Sequence, residues 1–410
     1  MEKSNQISQK PKFQIGFGDI YPSPNLKKYI GQILKTRRFS YGPITQKLEA
    51  MFAELTGVKF PVFCSSGTAA LFTAIGVLKN LNPELAKERK YIVMPAVNFI
   101  ADLNVTVYNG FEPIFIDVSG NYNLDYDALE TVLKTRGREI FAVLGVSLMG
   151  RPVNGQRIRE LVDSYTDNKG FFILDNCENL ASKYGLHAPD VFADFTCWST
   201  YLSHLLVGGA CGGFIGTNRD KYAVYARSFI NHGRDAGYLS IDADNDVSAA
   251  TLKDITAKRF SFVQHGLNFR MDELNAAVAL SMLEDNFLGQ LAMRKSNAEK
   301  LIKALSQFPL ILPTFSKEEE ARHMMLPIMF KGDRDALVNH LESNGVETRP
   351  VLPMYQPITE KYFGSMTNFK TNFPRAALIY EKGLYLGCHQ YLTSEHINYM
   401  IEVFRKFFQK

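Results

Sequence analysis

The sequence predicts an α/β protein, with a mostly parallel sheet flanked by helices and a small α+β domain at the C-terminal end. Three observations carry this. Short apolar runs without alternation recur at Tyr91–Met94, Pro113–Val118, Phe141–Ser147 and Phe171–Leu174, as expected of strands buried on both faces by covering helices. Longer amphipathic stretches separate them; after Ser65, for example, Leu71, Ile75 and Leu78 fall at helical spacing. The chain has 410 residues, too many for one core of ordinary size, and its character shifts near residue 285.

In chain order, residues 1–25 read as a polar N-terminal arm, 26–285 as the large domain and 286–410 as the small domain. A glycine-flanked strand is expected at Gly212–Gly216. In the small domain, Arg294–Leu305 reads as a linking helix and Met325–Phe330 as a strand. A helix stopped by Asn344-Gly345, a strand at Val346–Thr348 and a terminal helix at Ser394–Phe407 complete it. Open α/β sheets bind ligands at the carboxyl ends of their strands, so candidate residues are sought there.

Composition narrows the function classes. The chain is 46% hydrophobic and 21% charged with a net charge of +4, which gives no basic stripe for nucleic acid. No apolar run reaches the ~18 residues that cross a bilayer. Cys64, Cys177, Cys197, Cys211 and Cys388 are scattered without a CxxC pair, so neither a disulfide framework nor a metal site is expected. The N-terminus lacks an apolar signal segment. A cytoplasmic protein is the expectation.

Three segments bear chemistry. Cys64-Ser65-Ser66-Gly67-Thr68-Ala69-Ala70 joins an apolar run to a helix; small residues at a helix start admit a phosphate to backbone N–H groups and the helix dipole. The same residues would serve as an ordinary N-cap. Phe171–Glu178 delivers Asp175 and Glu178 at the end of a strand. A buried Asp there pairs with a protonated pyridine nitrogen, or else caps a helix from Asn176 onward. Trp198–Gly209 is a hydroxyl-rich loop holding one ionisable group, His204, among apolar neighbours; by itself that imidazole also fits a satisfied, partly buried residue.

Together these segments resemble the DegT/StrS family of sugar aminotransferases, fold-type-I pyridoxal-phosphate enzymes. The likeness runs collinearly from about residue 20 to 405. It passes through Gly42-Pro43, Ser66–Leu71, Pro95–Asn104, Asp175–Glu178, the Ser199 loop, Gly266–Leu274 and Gly345–Pro350. The resemblance implies that Gly67, Thr68 and Ser199 hold the cofactor phosphate, and that Phe99 stacks on the pyridine ring. Asp175 would pair with the ring nitrogen and Glu178 would lie near the ring hydroxyl. Asn268 would reach the phosphate of a neighbouring subunit, with His232 lining that site from the partner chain, which implies a homodimer with shared active sites.

In the family, the position five residues after the loop serine carries the lysine that bonds covalently to the cofactor. Here it is His204, and neither Lys183 nor Lys221 lies where a replacement would. This exchange resembles a subgroup, the nucleotide-sugar 3-dehydratases, typified by GDP-4-keto-6-deoxymannose 3-dehydratase. The subgroup's second adjacent histidine is Leu205 here, and its Glu-Gly-Gly is Cys211-Gly212-Gly213. The resemblance implies an enzyme that uses pyridoxal 5'-phosphate and pyridoxamine 5'-phosphate to dehydrate a nucleotide-linked keto-sugar, with glutamate as amine donor. His204 would move the protons, starting from an ordinary pKa near working pH. Two other outcomes stay open: an aminotransferase with an atypical base, and an inactive homologue acting as a binding subunit.

Overall fold

The computed structural model describes residues 11–18, 23–235, 248–352 and 354–409. In chain order its strands begin with β1 (Phe60–Cys64), β2 (Tyr91–Pro95), β3 (Glu112–Ile116), β4 (Ile140–Val146) and β5 (Phe171–Asp175). Next come β6 (Lys183–Tyr184), β7 (Phe195–Ser199) and β8 (Gly213–Thr217). The last are β9 (Leu310–Ile311), β10 (Glu319–Glu320), β11 (Met325–Phe330), β12 (Thr348–Arg349) and β13 (Gly383–Gly387).

Seven strands form the large sheet in the order β1-β8-β7-β5-β4-β2-β3. The pairs from β7 through β3 are parallel, while β8 runs antiparallel to both β7 and β1. The ends of β1, β4, β5 and β7 therefore share one edge of the sheet. Every residue of β4, β5 and β8 is buried, as their unbroken apolar composition demands of central strands covered on both faces. The expected runs appear as β2 to β5, and the glycine-flanked segment as β8. Trp198 and Ser199, expected in a loop, instead end β7. That strand mixes Thr196 and Cys197 with its apolar residues, and Thr196 is buried, so its composition does not advertise a core strand.

β1 lies at the sheet edge and contains Pro61, which edge strands tolerate because one side needs no donor. The N–H of Phe63, on the same outward side, donates to Glu49 Oε1 at 2.9 Å. The Ser65 N–H donates to the Phe269 carbonyl at 2.8 Å. The outer row of β1 thus has one donor missing and the next two occupied.

The second sheet, in the order β12-β13-β11-β9, is antiparallel. It packs with the helices Phe287–Leu305, Arg334–Ser343 and Ser394–Phe408 around a separate apolar cluster that includes Leu301, Leu326, Leu337 and Phe404. The linking helix starts at Phe287, earlier than expected, after Asn286 in the left-handed region (φ 49). The expected strand at Val346–Thr348 forms at Thr348–Arg349 instead, because Val346 makes its single bridge with Ile15. The segment 11–18 thus adds its backbone to this region. The two parts also meet through the β6–β10 ladder and through Arg151 and Glu319, an ion pair of 2.6 Å in which each side chain is 3% exposed. Among the described residues no helix is long and apolar enough to cross a membrane.

Candidate active site

A cavity of about 540 Å³ opens at the shared sheet edge, between the large sheet and the strands β12 and β13. A groove of the same size beside Arg159 and Arg219 is different in kind: both arginines are already paired with Asp194, at 3.0 and 2.8 Å. Seven of the residues singled out in the sequence line the cavity: Gly67, Thr68, Phe99, Asp175, Glu178, Ser199 and His204. Asn268 and His232 do not. They lie together on the surface, where Asn231 bridges Asn268 and the His232 N–H donates to the Leu267 carbonyl at 2.9 Å.

The helix Gly67–Leu81 begins at the cavity, with Ser66 as its N-cap accepting from the Ala69 N–H at 3.0 Å. The capping role and an anion-accepting role are compatible, since Ser66, Gly67 and Thr68 all line the space. Gly67 is required by contact: a Cβ there would sit 2.5 Å from Cys177 Sγ and 3.0 Å from Ser199 Cβ. Phe99, the N-cap of the helix Ile100–Tyr108, is 55% exposed and presents its ring to the cavity without being packed into the core.

To the same cavity β5 delivers Asp175. Its Oδ1 accepts the Cys177 N–H at 2.9 Å, and no helix follows, so the helix-capping alternative does not apply. Burial pushes its carboxyl above the usual range, opposed by the Cys177 hydrogen bonds. Glu178 accepts the Met149 N–H at 2.9 Å, and is pushed up to about 7, by burial first and by the Asp175 charge as well. Met149 and Gly150 hold left-handed backbone (φ 55 and 80), and a Cβ at Gly150 would lie 2.6 Å from the Met324 nitrogen. This tight turn fixes the donor to Glu178 against the small sheet.

His204 reaches the cavity from the turn after β7. The residue is partly exposed, but its Nδ1 is shut away and makes no hydrogen bond of good geometry among the described residues. Burial pushes its pKa down to about 4, the Arg294 guanidinium adds to this, and the Tyr201 carbonyl offsets it only in part. The near-neutral pKa expected from the sequence is therefore corrected: the imidazole stands uncharged, the form that accepts a proton. Arg294 is 2% exposed and has no carboxylate partner among the described residues. It donates to Gln390 Oε1 at 2.6 Å and to the carbonyls of Met324 and His204 at 3.0 and 3.5 Å.

Sequence reasoning missed the wall made by residues distant in the chain. Phe17, Met324, Glu347, Arg349 and Tyr385 line the cavity, and Arg349 pairs with Glu347 at 2.6 Å over the Phe17 ring. Glu347 and Arg349 stood inside a matching motif, but nothing in their spacing disclosed a role.

The arrangement suits a phosphorylated pyridine. A helix start able to take an anion, a buried acid, an exposed aromatic ring and a neutral imidazole line one cavity. No lysine among the described residues lines the cavity. Among the described residues no three His, Cys, Asp or Glu side chains are grouped to hold a metal ion.

The sequence profile described as the DegT/DnrJ/EryC1/StrS aminotransferase family matches residues 23–405. A dTDP-4-dehydro-2,6-dideoxy-D-glucose 3-dehydratase from Saccharopolyspora spinosa is 26% identical, covering 91% of this chain and 82% of its own. A GDP-perosamine synthase from Escherichia coli O157:H7 is 27% identical, covering 93% and 95%. A GDP-4-keto-6-deoxymannose-3-dehydratase structure with a trapped PLP-glutamate geminal diamine superposes with a TM-score of 0.80. It is 22% identical over 95% of this chain and 99% of its own.

Proposed function

The chain belongs to the DegT/DnrJ/EryC1/StrS aminotransferase family, and on that footing we propose that it is a PLP/PMP-dependent enzyme acting on a nucleotide-linked keto-sugar. More narrowly, it dehydrates C3 of a nucleotide-linked 4-keto-6-deoxyhexose. The products are a 3,6-dideoxy-4-keto sugar and ammonia, and glutamate restores the amine form. The observation that carries this reading is His204, an uncharged imidazole in a cavity lined by no lysine among the described residues.

When bound, the cofactor supplies an amine that condenses with the sugar ketone and a ring that draws off the electrons of a neighbouring carbanion. The protein's part is positional. The helix start at Gly67 and Thr68, with Ser199 beside it, holds the phosphate by N–H groups and dipole. Phe99 gives the ring a flat platform, and Asp175 holds the proton on its nitrogen. Glu178, able to keep a proton near neutrality, lies at the ring hydroxyl. His204 Nδ1 is shut away, so proton exchange falls to Nε2. It accepts a proton there and returns it to the departing C3 hydroxyl oxygen, one group serving both transfers from one face.

Asn268 and His232 sit on an exposed surface that also carries Phe260, Phe262, Val263 and Leu267, which are 82%, 53%, 52% and 42% exposed. That apolar patch supports a homodimer in which these residues complete the partner's site. The test is turnover with GDP-, CDP- and dTDP-linked 4-keto-6-deoxyhexoses plus glutamate. Ammonia released without net amination supports dehydration. A stable amino sugar supports the transaminase reading, which the likeness to GDP-perosamine synthase favours. No spectral change of bound cofactor on adding glutamate would leave a binding subunit. In a His204→Lys variant, a covalently attached cofactor band is expected; its absence counts against the placement of residue 204.

A further inference from the structure

The helix Ile100–Tyr108 carries an acid that the roles assigned so far do not use. Asp102 lies in its first turn and is 0% exposed. Among the described residues no N–H or hydroxyl donates to either of its carboxyl oxygens. What does meet it is another acid, Asp175, whose carboxyl is near enough for its charge to act on that of Asp102. The sheet order explains the meeting, since β2, which leads into the helix, and β5, which ends in Asp175, flank β4 on its two sides.

Two carboxylates buried as neighbours, with no donor to the oxygens of Asp102 among the described residues, repel each other, which favours the state in which one of them is an acid. Repulsion between two charges at contact distance, in an effective dielectric of about 20, weighs against double ionisation by roughly three powers of ten. Burial acts in the same direction, and both carboxyls are pushed up from the usual range by burial first. Among the described residues, the other groups that face the pair add no cation. They are Cys177 and Glu178 just beyond β5 and Cys197 of β7, with both thiols pushed up by burial first and the Asp charges adding to it.

We infer that Asp102 and Asp175 hold a single proton between them, and that Asp102 is a positioning residue that fixes Asp175 from the side away from the cavity. The pair then offers one negative charge, matched to one protonated ring nitrogen. Asp102 keeps the proton and donates to Asp175, whose other oxygen is already held by the Cys177 N–H. This rests on the reading of Asp175 as the ring-nitrogen partner, although the shared proton itself belongs to the protein alone.

The test begins without cofactor. Infrared spectra of the apo protein at pH 8, wild type minus Asp102→Asn, are expected to show one C=O stretch of a protonated carboxylic acid. Glu178 is present in both proteins and cancels. No such band would overturn the shared proton. Pyridoxal phosphate titration then follows orientation: Asp102→Asn, whose amide N–H still donates to Asp175, is expected to bind within about threefold of wild type. Asp102→Leu, which cannot donate, is expected to bind at least tenfold more weakly. Equal binding by the two variants would overturn the positioning role, and if the leucine protein does not fold, the infrared difference still decides the shared proton. Asp175→Asn separates the two claims. Undiminished cofactor binding there, with the band present, refutes the ring-nitrogen reading and leaves the pair. Lost binding with no band does the reverse.

Discussion

The floor of the cavity and its side wall are both buried, and burial moves their protons in opposite directions. On the floor Glu178 is pushed up to about 7, and Asp102 behind it is pushed upward as well. On the wall, His204 is pushed down to about 4 by burial with the Arg294 charge adding, and His323, next in the chain to the wall residue Met324, is pushed down to about 4 by burial with the Lys295 and Arg151 charges adding. Desolvation penalises whichever form is charged. Near neutrality the acids therefore hold protons that they would lose in water, and the imidazoles lose the remaining charge that water would leave them. The difference teaches that acid and base roles here follow from side-chain type placed in one dry space, with no ion pair required to set them.

Breaking the wall has the largest expected effect. His204→Asn should lower turnover by on the order of 10²–10⁴-fold while cofactor remains bound, read by steady-state rates beside the absorption spectrum. Turnover that survives would remove His204 from proton transfer. Crowding the floor comes next. Gly67→Val puts a side chain against Cys177 and Ser199; overpacking of about 1–3 kcal/mol corresponds to roughly 5–150-fold weaker pyridoxal phosphate binding, measured by titration.

Stability against pH sharpens the contrast. Glu178 has a folded pKa of about 7, above its ordinary 4.5, so its contribution is full below 4.5 and is lost as pH rises through 7. In urea unfolding, Glu178→Gln should remove that decline and gain on the order of 2 kcal/mol over wild type at pH 8. His323 has the opposite sign. Its folded pKa is about 4 against 6.5, so stability is present above 6.5 and lost as pH falls toward 4. His323→Asn, which tolerates the left-handed backbone at this position (φ 49), should flatten that acid limb by about 1–2 kcal/mol. The smallest effect is expected at the rim. Arg349 is 58% exposed in its pair with Glu347, so Arg349→Gln should change stability by about 0.5 kcal/mol or less, measured by the same unfolding.

The central strands were legible because β2 to β5 are almost wholly apolar, and the end of β5 announced Asp175 and Glu178. β7 escaped because buried threonine and cysteine look like loop residues in a string of letters. The floor was half legible. Asp102 stands in Ala101-Asp102-Leu103-Asn104, which reads as any helix start, and only strand order sets it beside Asp175. The wall was least legible. His204 drew notice by standing where a lysine belongs, yet its depressed pKa comes from burial first and then from Arg294, ninety residues away in the chain. Residues such as Met324, Arg349 and Tyr385 reach the cavity by docking of the second sheet, which no local spacing encodes.

Strand β1 has a consequence in time. It leaves the ribosome early, but its ladder partner β8 is made roughly 150 residues later. At ~5–20 residues per second that is a wait of roughly 8–30 s. A waiting strand with open donors is a template for a neighbouring chain. Pro61 has no donor to offer from the first moment, and Glu49, made before β1, can occupy the Phe63 N–H without waiting for β8. Pro61 and Phe63 on the outward side are thus protected during synthesis by residues already at hand, while the Ser65 N–H just past the strand waits for Phe269.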